Sequence, residues 1–109
     1  MDTLKGLIAA VASIDLPWAN GSWGAGDDPV VPYITIRATG GTSYGADNAT
    51  WCAFMGYDVE LYTQSRDYVL ERSIEDALDA NEIFWTKNNF ALDDEGVSET
   101  VYSVTVRED

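Results

Sequence analysis

Three stretches of this sequence bring together side chains that could do chemistry. Asp93-Asp94-Glu95 and Asp27-Asp28 place carboxylates side by side, the raw material of a calcium loop or an acid–base pair. Neither has the spacing for it. An EF-hand loop alternates its ligands and closes on a distal Glu, and adjacent carboxylates on an extended chain point to opposite sides. Both stretches read as turns, the second stopped by Pro29. Gly40-Gly41-Thr42-Ser43 joins glycines to hydroxyls, but neither a Lys nor a helical pattern follows, so it is no phosphate loop. Gly21-Ser22-Trp23-Gly24 and Thr42-Ser43-Tyr44-Gly45 both miss the G-x-S-x-G elbow. The chain contains no His, which removes the usual general base, the usual zinc ligand and the near-neutral pH switch together. No catalytic residue, cofactor or metal is assigned, and the expectation is a protein that is not an enzyme.

Composition narrows the remaining classes. The 109 residues are 46% hydrophobic, enough for one modest core, and a single domain over 1–109 is expected. No apolar run is long enough to span a bilayer, and no membrane is expected as a partner. The opening MDTLKGLIAAVAS lacks the basic start and long apolar centre of a secretory signal, so it reads as a cytosolic helix. A lone Cys52 cannot close an internal disulfide, which suits a reducing compartment. Without a secretory route the sequons Asn20-Gly21-Ser22 and Asn48-Ala49-Thr50 carry no meaning. The net charge is −13, of which −3 falls in residues 1–50 and −10 in the rest. No basic patch exists to hold phosphates, which argues against direct nucleic-acid binding. Such acidity serves solubility, lines a conduit that repels DNA, or imitates DNA to occupy a basic protein.

The chain is organised around Trp51 to Leu78. Trp51, Ala53, Met55, Tyr57, Val59 and Leu61 alternate with residues that turn polar toward Asp58 and Glu60, the period of a strand with one face in a core. After a polar break, Leu70, Ile74, Ala77 and Leu78 recur at helical spacing, with the helix beginning near Ser65 and Glu71, Arg72, Glu75, Asp76 and Asp79 on a solvated face. Upstream, Leu4, Leu7, Ile8 and Val11 form one stripe of a helix over 3–13, capped by Asp2 or Thr3. From Ile14 to Pro32 the prolines, glycines and Asn20 forbid a regular element, while Trp18 and Trp23 serve as apolar anchors. Tyr33 to Arg37 reads as a strand burying Ile34 and Ile36. Ile83 to Lys87 reads as a third strand and Thr100 to Arg107 as a fourth, with Tyr102, Val104 and Val106 on one face. The order α-β-β-α-β-β predicts an α+β fold, a four-stranded antiparallel sheet with two helices packed on one face.

The segment Thr39 to Thr50 is too long and polar for a tight hairpin, and reads as a projecting loop, either a mobile tip or an arm that grips a neighbour. Its candidate interface residues are Gly40, Gly41, Tyr44, Asp47 and Asn48. Phe54 lies on the nominally outer face of its strand, where an apolar side chain suits a subunit contact. The Asp93-Asp94-Glu95 turn completes the candidate interface.

The order of elements, together with Pro32-Tyr33 at a strand start, Ala46-Asp47 before the next strand, Val59-Glu60-Leu61-Tyr62-Thr63 closing it and Tyr102-Ser103-Val104 in the last, resembles the tail-terminator or tail-completion proteins of long-tailed bacteriophages. The resemblance runs from about Pro32 onward; the double-Trp front loop has no counterpart in it. It implies a minor tail protein that forms a hexameric ring, caps the head-proximal end of the tail tube and offers the head-joining surface. Its implied partners are other copies of itself, the tail tube protein and a head completion or connector protein, with DNA passing through the ring unbound. It implies residence in the virion tail after assembly in the host cytoplasm, and it brings no catalytic residues. A head-tail connector or another minor tail protein is the neighbouring alternative, and an acidic DNA-mimic inhibitor the more distant one.

Overall fold

The computed structural model describes residues 3–21, 30–46, 49–92 and 97–107, with residues 41–46, 49–53 and Leu92 described by their backbone alone. Helix α1 (Leu4–Ala12) starts where Thr3 accepts a hydrogen bond from the Gly6 amide at 3.1 Å, satisfying one of the donors that a helix start leaves orphaned. Helix α2 (Tyr68–Ala80) is capped by Asp67, whose carboxylate accepts from the amides of Val69 and Leu70. The predicted start near Ser65 is therefore a few residues early. Glu82, at φ 58°, ends α2 in the left-handed conformation common just past a helix terminus.

Five strands form one sheet: β1 (Trp18–Asn20), β2 (Tyr33–Ala46), β3 (Ala49–Thr63), β4 (Trp85–Leu92) and β5 (Val97–Arg107), in the order β1-β2-β3-β5-β4. The expectation of four antiparallel strands is corrected by β1, which pairs parallel to β2, Trp18 opposite Ile34 and Asn20 opposite Ile36. Three residues fit between the breakers Pro17 and Gly21 because those breakers still take part. The Pro17 carbonyl accepts from Ile34 N–H at 2.9 Å and Gly21 N–H donates to Ile36 at 2.7 Å. Proline lacks a donor but keeps its acceptor.

The projecting loop is corrected as well. β2 and β3 stay paired down to Ala46 opposite Ala49, so Thr39 to Thr50 is mostly a hairpin. Backbone hydrogen bonds carry it past residues of poor strand propensity, with register shifts at Ala38/Gly40 and Tyr44/Gly45. The third strand runs Trp85–Leu92 and not Ile83 to Lys87. Ile83 is buried as a core residue, its amide bonded to Leu78 O, while Phe84 is exposed.

Alternation sorts the sheet into two faces. Ile34, Ile36, Tyr57, Val59, Leu61, Tyr102, Val104 and Val106 meet Leu7, Ala10 and Val11 of α1 and Ile74 and Leu78 of α2 in one core. Both helices thus cover one face, as the sequence predicts, and the helical stripes fall on the core as read. Neither helix covers the other, open face, although Thr35 and Glu60 on it are buried.

Candidate functional site

Polar chemistry collects in two places, one on each face of the sheet. Beneath α2, Lys87 points inward from β4 because it shares the pleat of Trp85. Its ammonium lies 2.7 Å from Glu71 and 2.7 Å from Glu75, and Arg66 holds the other side of Glu71 at 3.2 Å. Tyr102 donates to Glu75 at 2.8 Å and to the Glu71 carbonyl at 3.2 Å. Trp85 stands edge-on to Tyr102 at 5.5 Å and donates to Asp79. Burial works to raise the pKa of Glu71, but hydrogen bonds from Lys87 and Arg66 outweigh it and hold the carboxyl below its ordinary value. For Lys87, burial works downward and the two carboxylates prevail, raising it. Every group here is satisfied by a neighbour, so the cluster clamps α2 to the sheet and leaves no reactive atom available.

The sequence places Glu71 on a solvated face, whereas the structure buries it almost completely. The missed signal is Lys87. A strand lysine in phase with Trp85 faces the core side, and such a charge requires a carboxylate on the helix above it.

The open face carries the second group. Thr35 donates to Glu60 at 2.7 Å, and Arg37 approaches the same oxygen at 3.7 Å. Tyr62 stacks on Tyr33, its partner across β2 and β3, with centroids 4.8 Å apart, and donates to Glu99 at 3.0 Å. Asp58 accepts from Ser103 at 2.9 Å. Burial, then the nearby Glu60, raises the Glu99 pKa, partly offset by the Tyr62 hydrogen bond. Among the described residues no three Asp, Glu or Cys side chains gather as metal ligands, and no helix is long and apolar enough to cross a membrane.

The predicted interface residues that the structure describes, Gly40, Gly41, Tyr44 and Phe54, lie at one end of the sheet. β5 pairs with β3 only from Phe54, opposite Arg107, to Thr63, opposite Ser98. Among the described residues, 43–46 and 49–53 are therefore paired only with each other, forming a two-stranded arm about 16 Å long at ~3.3 Å per residue. Gly40 and Gly41 lie at the base of the arm, Tyr44 lies within it opposite Cys52, and Phe54 marks where it joins the sheet, half-buried on the open face. The paired residues Leu92 and Val97 sit at the other end of the sheet, beyond Thr63. Asp47, Asn48, Asp93, Asp94 and Glu95 lie outside the described residues.

No protein-family model matches the chain, and no curated protein matches it in sequence. The class defined by its fold is a small α+β domain with one covered sheet face. A solved structure, the virion of a native gene transfer agent particle, contains a chain of similar fold, at a TM-score of 0.60 over 93% of this chain and 82% of that one. The two are 8% identical in sequence, so the likeness is one of fold.

Proposed function

We propose that this protein is a structural component of a phage or phage-like virion. Its specific role is to cap the head-proximal end of the tail tube as a hexameric ring, stop tube elongation and present the surface that joins the head. The fold shared along nearly the whole chain with a component of a gene transfer agent virion carries this reading. Three further features support it. The motifs from Pro32-Tyr33 to Tyr102-Ser103-Val104 resemble tail-terminator proteins. The arm reaches beyond the sheet, as a contact between ring neighbours requires. A net charge of −13 suits a passage through which DNA slides without sticking.

In this role the protein transforms no substrate and works by fit. Its partners are its own copies, the tube protein and a head completion or connector protein. The head-tail connector is the alternative within the same class. The DNA-mimic reading is weaker, because Asp58, Glu60 and Glu99 on the open face are hydrogen-bonded to their own neighbours and not displayed as a free row of anions.

The test is assembly. The protein is mixed with tubes polymerised from the tail-tube protein of its own genome and imaged in negative stain, with native mass spectrometry alongside. Six-fold caps at one tube end and arrested elongation are expected. Tubes that keep growing, with no density at either end, would overturn the proposal.

A further inference from the structure

The face of the sheet away from the helices has a depression. It lies between β3, β5 and the start of β4, measures about 500 Å³, and is lined by Thr39, Gly56, Asp58, Phe84, Thr86 and Ser103. In its floor the Thr39 side chain lies over Gly56. A Cβ there would come within 2.6 Å of the Thr39 hydroxyl and 3.3 Å of the Gly40 carbonyl. Ser103 fixes the Asp58 carboxylate by donating to one of its oxygens. At the rim stands Phe84, 83% exposed, an apolar ring with no core to fill. The side chains lining the groove supply one carboxylate, several hydroxyls and an aromatic ring, and no cation. Arg37 faces Asp58 across β2 and β3 but leans to Glu60.

We propose that this groove is a binding site for an arginine side chain of a partner polypeptide. A guanidinium presents donors around a flat plate, so its edge bonds Asp58 and the hydroxyls while its face rests on Phe84. An ammonium bonds the carboxylate equally well but offers no plate to stack. The net charge of −13 draws a basic partner from a distance. Another copy of this chain is a poor donor. Of its six basic residues, Arg37, Arg66, Arg72 and Lys87 already stand in ion pairs, Arg107 is engaged by a neighbour, and Lys5 is an ammonium with no plate to stack. The occupant is therefore a different protein, and the site stands whether or not the chain forms rings.

The test is an NMR titration of the full chain with N-acetyl-arginine amide, at physiological salt, where screening suppresses diffuse attraction. Saturable shifts confined to the amides around Asp58, Ser103 and Phe84 are expected. Asp58→Asn should weaken binding at least about tenfold, as loss of a charge-assisted pair does. Phe84→Ala, at an exposed position that leaves folding intact, should weaken it about threefold. N-acetyl-lysine amide should bind several-fold more weakly. Shifts scattered over the acidic surface, binding that survives Asp58→Asn, equal affinity for lysine amide, or no response at the highest soluble concentration would each overturn the proposal.

Discussion

Lys87 and Glu71, sixteen positions apart in sequence, meet at 2.7 Å beneath α2, one on a strand and one on the helix covering it. Removing Lys87 leaves the buried Glu71 with Arg66 as its one cationic partner and takes the ammonium from Glu75, whereas replacing both members of the pair with apolar groups of similar size leaves no buried charge between them. Lys87→Met should therefore cost about 3 kcal/mol, and Glu71→Leu combined with Lys87→Met much less than the sum of the single changes. Urea denaturation of the two single variants and the double variant checks this; additive losses would show that the pair is not a unit.

Two glutamates respond to acid in opposite senses. The fold lowers Glu71, so its contribution is full above the ordinary carboxylate value and is lost as pH falls through its lowered one. The fold raises Glu99, so its charge costs stability at neutral pH, and the cost is relieved as pH falls through the raised value. Glu99→Gln should thus be more stable than the parent at pH 7, with the advantage gone below about pH 4. Glu71→Gln should be less stable at pH 7, and the deficit should shrink in acid. Thermal melts across this range provide the measurement.

At high pH the clamp should fail. Burial first, then Glu75 and Glu71, push the Tyr102 phenol well above its ordinary 10.0. Burial, then Glu60 and Glu99, do the same for Tyr62. The unfolded chain releases these protons near pH 10 while the folded one retains them, so stability is lost as pH rises beyond 10. Lys87, whose value is raised above 10.5, loses its contribution in the same direction. Tyr102→Phe should cost about 1 kcal/mol at pH 7 through its lost hydrogen bonds and should flatten the alkaline decline followed by circular dichroism.

The arm should separate folding from assembly. Replacing residues 43–53 with Asn-Gly closes the hairpin at the Thr42–Phe54 pair with a favoured two-residue turn. Among the described residues the backbone of the removed segment pairs only with itself, so the melting free energy should change by no more than about 1 kcal/mol. Capping of tail tubes should be abolished. Retained capping would show that the arm makes no assembly contact.

Much of this molecule was legible where one face of an element meets the core. The period of two through Met55, Tyr57, Val59 and Leu61 and the stripe Leu70, Ile74, Ala77 and Leu78 report burial directly, and the structure buries or packs each of them. β1 and the arm were not legible, because their pairing runs through main-chain groups that every residue carries, including Pro17 and Gly41. The Glu71–Lys87 clamp was hidden for another reason. Charged residues usually signal solvent; the phase of Lys87 with Trp85 hints at the core side, but only the opposition of α2 to β4 names Glu71 as its partner. Asp58 and Phe84 are likewise distant in sequence and become neighbours only through the β3-β5-β4 order.

Gly40 sits at φ 142° beside the register shift at the root of the arm, in a conformation that side chains resist. A bulge bends and twists the strand that contains it, so this residue sets the heading at which the arm leaves the sheet. In an assembly built by each arm reaching the next copy, that heading fixes the rotation between neighbours, and a heading a few degrees off winds a closed circle into an open spiral.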